Sequence, residues 1–157
     1  QVIVTDPIKS RRETILKYGA DYAIDPTKPG YLGEILSLTN GRGPSVVIEA
    51  SGSDSGIASV FDIAGPSARV GLIGHSIGRK VPVEIGKTIW KTLRISGSGG
   101  TSHWFPRTIR FLSRIKDKYD FAALNTHHFN FRDIHKAFEV AATDKENARK
   151  VMLTFDD

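Results

Sequence analysis

The chain has 157 residues, 39% of them apolar and 25% charged, enough for one domain with a real core. Cysteine is absent, which excludes disulfides and thiolate metal ligands and fits a reducing compartment, so we expect a cytoplasmic protein. The formal charge of +5 comes from 22 basic and 17 acidic residues; the basic cluster at Lys9–Arg12 has no interleaved aromatics, and no apolar run reaches membrane length, so neither a nucleic-acid groove nor a membrane span is expected.

The opening residues organise the rest. Val2, Ile3 and Val4 form a β-branched run that suits a strand buried on both faces, and Asp6 stands just past its end. A helix should follow, opened by a capping box between Ser10 and Glu13 and closed by Gly19, and Tyr22–Ile24 begins a second strand. Strand, acid, helix, strand is the ribose-reading part of a dinucleotide-binding βαβ unit. A carboxylate there accepts both ribose hydroxyls and repels a 2′-phosphate, which favours NAD over NADP. The glycine-rich phosphate turn of such a unit belongs about twenty residues upstream of the acid, before Gln1. We therefore expect the chain to be a piece of a longer protein.

Further along, Tyr31, Ile35, Leu36 and Leu38 recur at helical spacing, and Asn40–Pro44 ends that helix. Ser45–Glu49 reads as a buried strand, residues around Ile57–Ile63 as a helix, and Ala68–Ile73 as a further strand. Val81–Ile85 suggests a short edge strand, and Thr92–Ser96 the last strand of the sheet. Beyond the glycine-rich exit, Trp104–Arg114 is amphipathic, with Trp104 and Phe105 expected to pack that helix against the sheet. Asn125–Phe129 reads as a strand, Asn130 as the cap of a helix burying Phe131, Ile134, Ala137, Phe138 and Ala141, and Lys150–Phe155 as a closing strand.

Several residues invite sharper readings. Asp6 could simply cap a turn before Pro7. Glu49 ends an apolar strand, and we expect it to meet water or a basic partner and not to act as a catalytic acid. Ser96–Gly100 imitates a phosphate loop, but Ser102 stands where the third glycine belongs. His127 and His128 are adjacent on a strand, point to opposite faces and cannot easily share a metal; we expect no metal site on this chain.

The segments VIVTDPIKSRRETILKYGADYAIDP, SVVIEASGS, ARVGLIGH, TLRISGSGG, LNTHHFNFRDIHKAFEVA and KVMLTF occur in that order. Together they resemble the cofactor-binding half and C-terminal tail of the zinc-type medium-chain alcohol and polyol dehydrogenases, in tone the sorbitol and threonine dehydrogenase branch. The resemblance implies an α/β fold: a Rossmann-like parallel sheet lacking its first strand and glycine-rich turn over 1–98, with a short α+β appendage over 99–157 that packs on or completes a catalytic domain. It implies an oxidoreductase passing a hydride between a secondary alcohol or polyol and NAD, with a zinc ion bound only in the parent protein's N-terminal half. Asp6 matches the ribose-binding acid and Arg11 a basic position near the adenosine. Ala50, Ser51 and Gly52 match the loop beside adenine and its ribose, and Ile73, Gly74 and His75 the strand end under the nicotinamide ribose. Ser96, Gly97 and Ser98 match the stretch that holds the carboxamide. No catalytic residue carries over, so this chain alone should be inactive. A homo-oligomer is expected, with Lys91–Ser96 at the subunit contact.

Two other readings stand beside this one. One is a non-catalytic nucleotide-binding or structural module. The other is an S-adenosylmethionine-dependent methyltransferase, because an acid at the second strand end also reads that cofactor's ribose; the LNTHHFNFRDIHKAFEVA segment argues against it.

Overall fold

The computed structural model describes residues 1–74, 77–100 and 104–155. The chain divides into two compact units, one formed by 1–27 with 102–157 and the other by 28–101.

In the first unit β1 (Ile3–Thr5) and β2 (Tyr22–Ile24) pair in parallel, joined by α1 (Lys9–Lys17). The glycine closure of α1 is as expected. Gly19 adopts φ +97°, and the amides of Gly19 and Ala20 donate back to the carbonyls of Leu16 and Ile15, which satisfies the helix's last acceptors. The N-terminus differs. No side chain of the Ser10–Glu13 pair caps it. The Ser10 amide instead donates to the Glu146 carboxylate (2.9 Å), and the Ser10 hydroxyl donates to the Glu146 carbonyl. A partner 136 residues away has taken the place of the local box. Val2 is exposed and Ile3 and Val4 are half-buried, so β1 is not covered on both faces.

The same unit contains α5 (Phe105–Ile115), β6 (Asn125–Asn130), α6 (Ile134–Thr143) and β7 (Lys150–Thr154), with β6 and β7 parallel. Asn130 does cap, but its side chain accepts the Arg132 amide of a 3₁₀ turn, Phe131–Asp133, that precedes α6. The expected buried stripe is largely bare. Ala137 is buried while Phe138 is 68% exposed, and Phe131 stacks on Phe155 at 5.0 Å near the surface. Trp104 and Phe105 are likewise exposed, and Trp104 carries the Arg107 guanidinium 5.0 Å over its ring. Neither ring is buried as the packing expectation requires.

The second unit holds α2 (Tyr31–Leu38), β3 (Val46–Glu49), α3 (Asp54–Ile63), β4 (Arg69–Leu72), α4 (Gly86–Trp90) and β5 (Arg94–Gly97). Its sheet is parallel throughout in the order β3-β4-β5, aligning Glu49 with Leu72 and Leu72 with Gly97. The core lies between this sheet and α3: Val47, Val60, Phe61, Ala64, Ala68, Val70 and Leu93. Alternation follows the strand period, since Val47 and Glu49 face that core while Ile48 is 67% exposed on the other face. Among the described residues β3 pairs with β4 alone, and β1 with β2 alone. Val81–Ile85 forms no strand; the segment runs irregularly into α4, because Pro82 offers no amide to a ladder.

Candidate functional site

Parallel strands deliver their C-terminal ends to one edge of a sheet, and ligands of open α/β folds bind there. In the second unit that edge gathers most of the residues singled out from sequence. The amides of Ile73 and Gly74 both donate to the Glu49 carbonyl (2.9 and 3.2 Å), so the β4 exit is stitched to the β3 exit. The Ser98 amide donates to the Leu72 carbonyl (3.0 Å), which stitches the β5 exit to the same line. Ala50, Ser51, Gly52, Ile73, Gly74, Gly97 and Ser98 thus form one crest, with Ser96 paired one step back against Gly71.

Gly74 shows how tightly the crest is built. A Cβ there would sit 2.6 Å from the Ala50 carbonyl carbon and against the Gly52 amide. Two turns meet backbone to backbone, which only glycine permits.

Glu49 departs from its expected partners. It is 5% exposed, and no basic side chain among the described residues is bonded to it. Its carboxylate accepts the Ser51 amide (2.9 Å), the Ser51 hydroxyl and, through both oxygens, the Gly52 amide (3.1 Å). The turn after β3 is folded around the carboxylate that ends the strand. Ser53 then caps α3 by accepting the Gly56 amide at 3.0 Å. The signal was present as a glutamate two residues before a serine and three before a glycine.

In the first unit Asp6 and Arg11 line one cleft of about 670 Å³, together with Thr14, Ile15, Phe111 and Arg149. Asp6 Oδ1 accepts the Ile8 amide at 2.8 Å, so the turn-capping role is real. Among the described residues Oδ2 takes no hydrogen bond. The strand tip is fixed by Arg12, which sequence reasoning passed over in favour of Arg11. Arg12 donates through Nη1 to the Asp6 carbonyl (2.6 Å), and its Nη2 lies 3.0 Å from the Asp25 carboxylate, both side chains being largely buried. The aspartate after β2 is the sequence trace of that clamp. Arg149, which donates to the Thr14 hydroxyl at 2.9 Å, also reaches the cleft, and no local pattern announces it. His75 lies outside the described residues.

His127 is half-buried and stacked on Phe129, and His128 is exposed, as alternation along β6 requires. Among the described residues no three His, Cys, Asp or Glu side chains come together in a way that could hold a metal. The donors among the described residues do not fit zinc.

Comparison with known proteins now bears on this arrangement. The family model described as zinc-binding dehydrogenase matches residues 1–114. L-Threonine 3-dehydrogenase from Pyrococcus horikoshii is 32% identical over 156 residues, covering 97% of this chain and 44% of that protein. Starvation-sensing protein RspB of Escherichia coli K12 is 33% identical over 156 residues, covering 99% and 44%. The crystal structure of a short chain alcohol dehydrogenase, RspB from E. coli CFT073 complexed with NADH, matches with a TM-score of 0.86 at 32% identity, over 99% of this chain and 44% of that one. The chain therefore spans less than half the length of these relatives, and the part it matches is their cofactor-binding half. With most of its length matched by that family model, and its parallel strands and crossover helices matched by a relative's structure, the chain belongs to the zinc-binding dehydrogenase family.

Proposed function

We propose that this chain is the cofactor-binding half of an NAD-dependent dehydrogenase that moves a hydride between a secondary alcohol or polyol and the nicotinamide. The observation that carries the proposal is its likeness, over 99% of its length, to a structure complexed with NADH. The cofactor would supply the hydride-accepting ring; this chain's residues bind and orient it. Asp6 offers Oδ2 to the ribose diol, with Oδ1 held by the Ile8 amide and the strand tip clamped by Arg12. Arg11 borders the adenosine end. Ala50–Gly52 and Ile73–Gly74 present backbone to the two riboses, and Ser96–Ser98 to the carboxamide. Hydride transfer needs the ring fixed against the substrate carbon, and strand ends stitched by main-chain hydrogen bonds suit that task.

In this reading residues 1–98 make the cofactor domain, residues 99–157 pack on the rest of the parent protein, and zinc is bound outside these residues. The parent is a cytoplasmic homo-oligomer with Lys91–Ser96 at its subunit contact.

The test is a titration of the full-length gene product with NADH and NADPH, followed by nucleotide fluorescence. NADH should bind at least about tenfold more tightly, the scale of one hydrogen bond to a charged group, and Asp6→Ala should remove most of the difference. Equal or tighter binding of NADPH by the unaltered protein would overturn the assignment.

A further inference from the structure

We infer that Glu49 and Arg79 are positioning residues that hold the Ala50–Gly52 turn in its cofactor-binding shape, from two opposite sides. The inference rests on the NAD-binding reading above.

Three of the turn's backbone groups, the Ser51 and Gly52 amides and the Gly52 carbonyl, are bonded by these two side chains. On the inner side the Glu49 carboxylate takes the amides of Ser51 and Gly52 and the Ser51 hydroxyl. On the outer side Arg79 Nη1 donates to the Gly52 carbonyl at 2.9 Å, and its Nη2 is 2.6 Å from Asp54 Oδ1 at the start of α3. Gly74 closes the third side by contact of its backbone with Ala50 and Gly52. Arg79 follows the β4 exit, so its guanidinium ties the segment after Gly74 to the turn after Glu49.

The chemistry of Glu49 is specific. Three donors converge on it from neighbouring residues, and only a carboxylate offers two acceptor oxygens with no hydrogen to clash. A glutamine would aim its amide hydrogens at the Gly52 or Ser51 amide, and the turn would have to open. Among the described residues the hydrogen bonds to this buried carboxylate all come from the turn it organises. Arg79 is half-exposed, and losing it should free the Gly52 carbonyl without disturbing the core.

The experiment compares the full-length gene product with its Glu49→Gln and Arg79→Gln variants, measuring both the dissociation constant and the stoichiometry of NADH. Glu49→Gln should raise the constant about tenfold at unchanged stoichiometry, and Arg79→Gln a few-fold in the same direction. A merely structural role would lower the stoichiometry or the melting temperature and leave the constant of the folded fraction alone. If Glu49→Gln fails to fold, Arg79→Gln decides: a raised constant supports the inference and an unchanged one overturns it. Amide exchange poses the question without nucleotide, since Glu49→Gln should speed exchange at Ser51 and Gly52 while Val47 and Val70 keep their protection. Unaltered protein that fails to bind NADH sinks the functional reading. Unchanged affinity together with unchanged exchange at Ser51 and Gly52 sinks this one.

Discussion

Lys91 gives the most direct test of how the second unit is held. It follows α4, and its side chain crosses to the end of α3, where Nζ donates to the main-chain carbonyls of Phe61 (3.0 Å), Asp62 (2.8 Å) and Ala64 (2.9 Å). A helix leaves its last carbonyls without partners and carries partial negative charge there, so one ammonium satisfies three acceptors and opposes the dipole. Replacing Lys91 by Met keeps the apolar stem and removes the head. The Asp62 carbonyl is exposed enough to find water. The Phe61 and Ala64 carbonyls are partly buried and lose their donor, at about 1 kcal/mol each, for a total of about 2 kcal/mol. In a chain of this size that is a fall in melting temperature of roughly 4–8 °C. Thermal and urea unfolding followed by circular dichroism would measure it, with Lys91→Arg expected to keep part of the stabilisation. A loss below about 0.5 kcal/mol in Lys91→Met would refute the argument, because the three hydrogen bonds would then be no better than those to water.

Lys87 bears on alkaline stability. Its pKa is raised above the usual 10.5, first by the hydrogen bond to the Asp62 carboxylate and then by Glu84, whose carboxylate is 2.7 Å away. A folded-state pKa above the unfolded one stabilises fully below pH 10.5, and this contribution is lost as pH rises through the folded value. Melting curves between pH 9 and 12 should therefore fall less steeply in Asp62→Asn than in the unaltered chain, and identical slopes would refute the linkage. Gly74→Ala should force the turns after β3 and β4 apart, costing about 1–3 kcal/mol and speeding amide exchange at Gly52; an alanine accommodated without either effect would contradict the close backbone contact.

How far the fold was legible follows from the range of each interaction. The strands at Val46–Glu49 and Arg69–Leu72 announce themselves as apolar runs between turn residues, and Gly19 marks its helix end, because those signals are local. The start of α1 is not legible locally because the Ser10 amide is taken by Glu146, and a capping box is a local competitor that lost to a distant carboxylate. Val81–Ile85 alternates like a strand, but pairing needs a neighbour and an amide that Pro82 lacks. The aromatic stripes of α5 and α6 were read as buried because they are amphipathic; amphipathicity says that a face wants cover, and among the described residues Phe138, Phe105 and Trp104 have little. At the candidate site the strand-end residues were identifiable by their order along the chain. The Glu49 turn is local, closing on residues two and three positions on, and the Arg12 clamp leaves its trace in Asp25, whereas the Arg149 side chain depends on tertiary packing and a linear pattern carries no trace of it at all.

The chain's two tryptophans, Trp90 and Trp104, are 89% and 60% exposed. Indole emission reports on polarity around the ring, and here the folded rings already sit largely in water. Intrinsic fluorescence of this chain should therefore change little in wavelength on denaturation, making it a poor optical reporter of folding. The same two rings would respond readily to anything that settles on their surfaces: a quencher such as acrylamide should reach both in the native state, and an arriving polypeptide should shift their emission toward the blue.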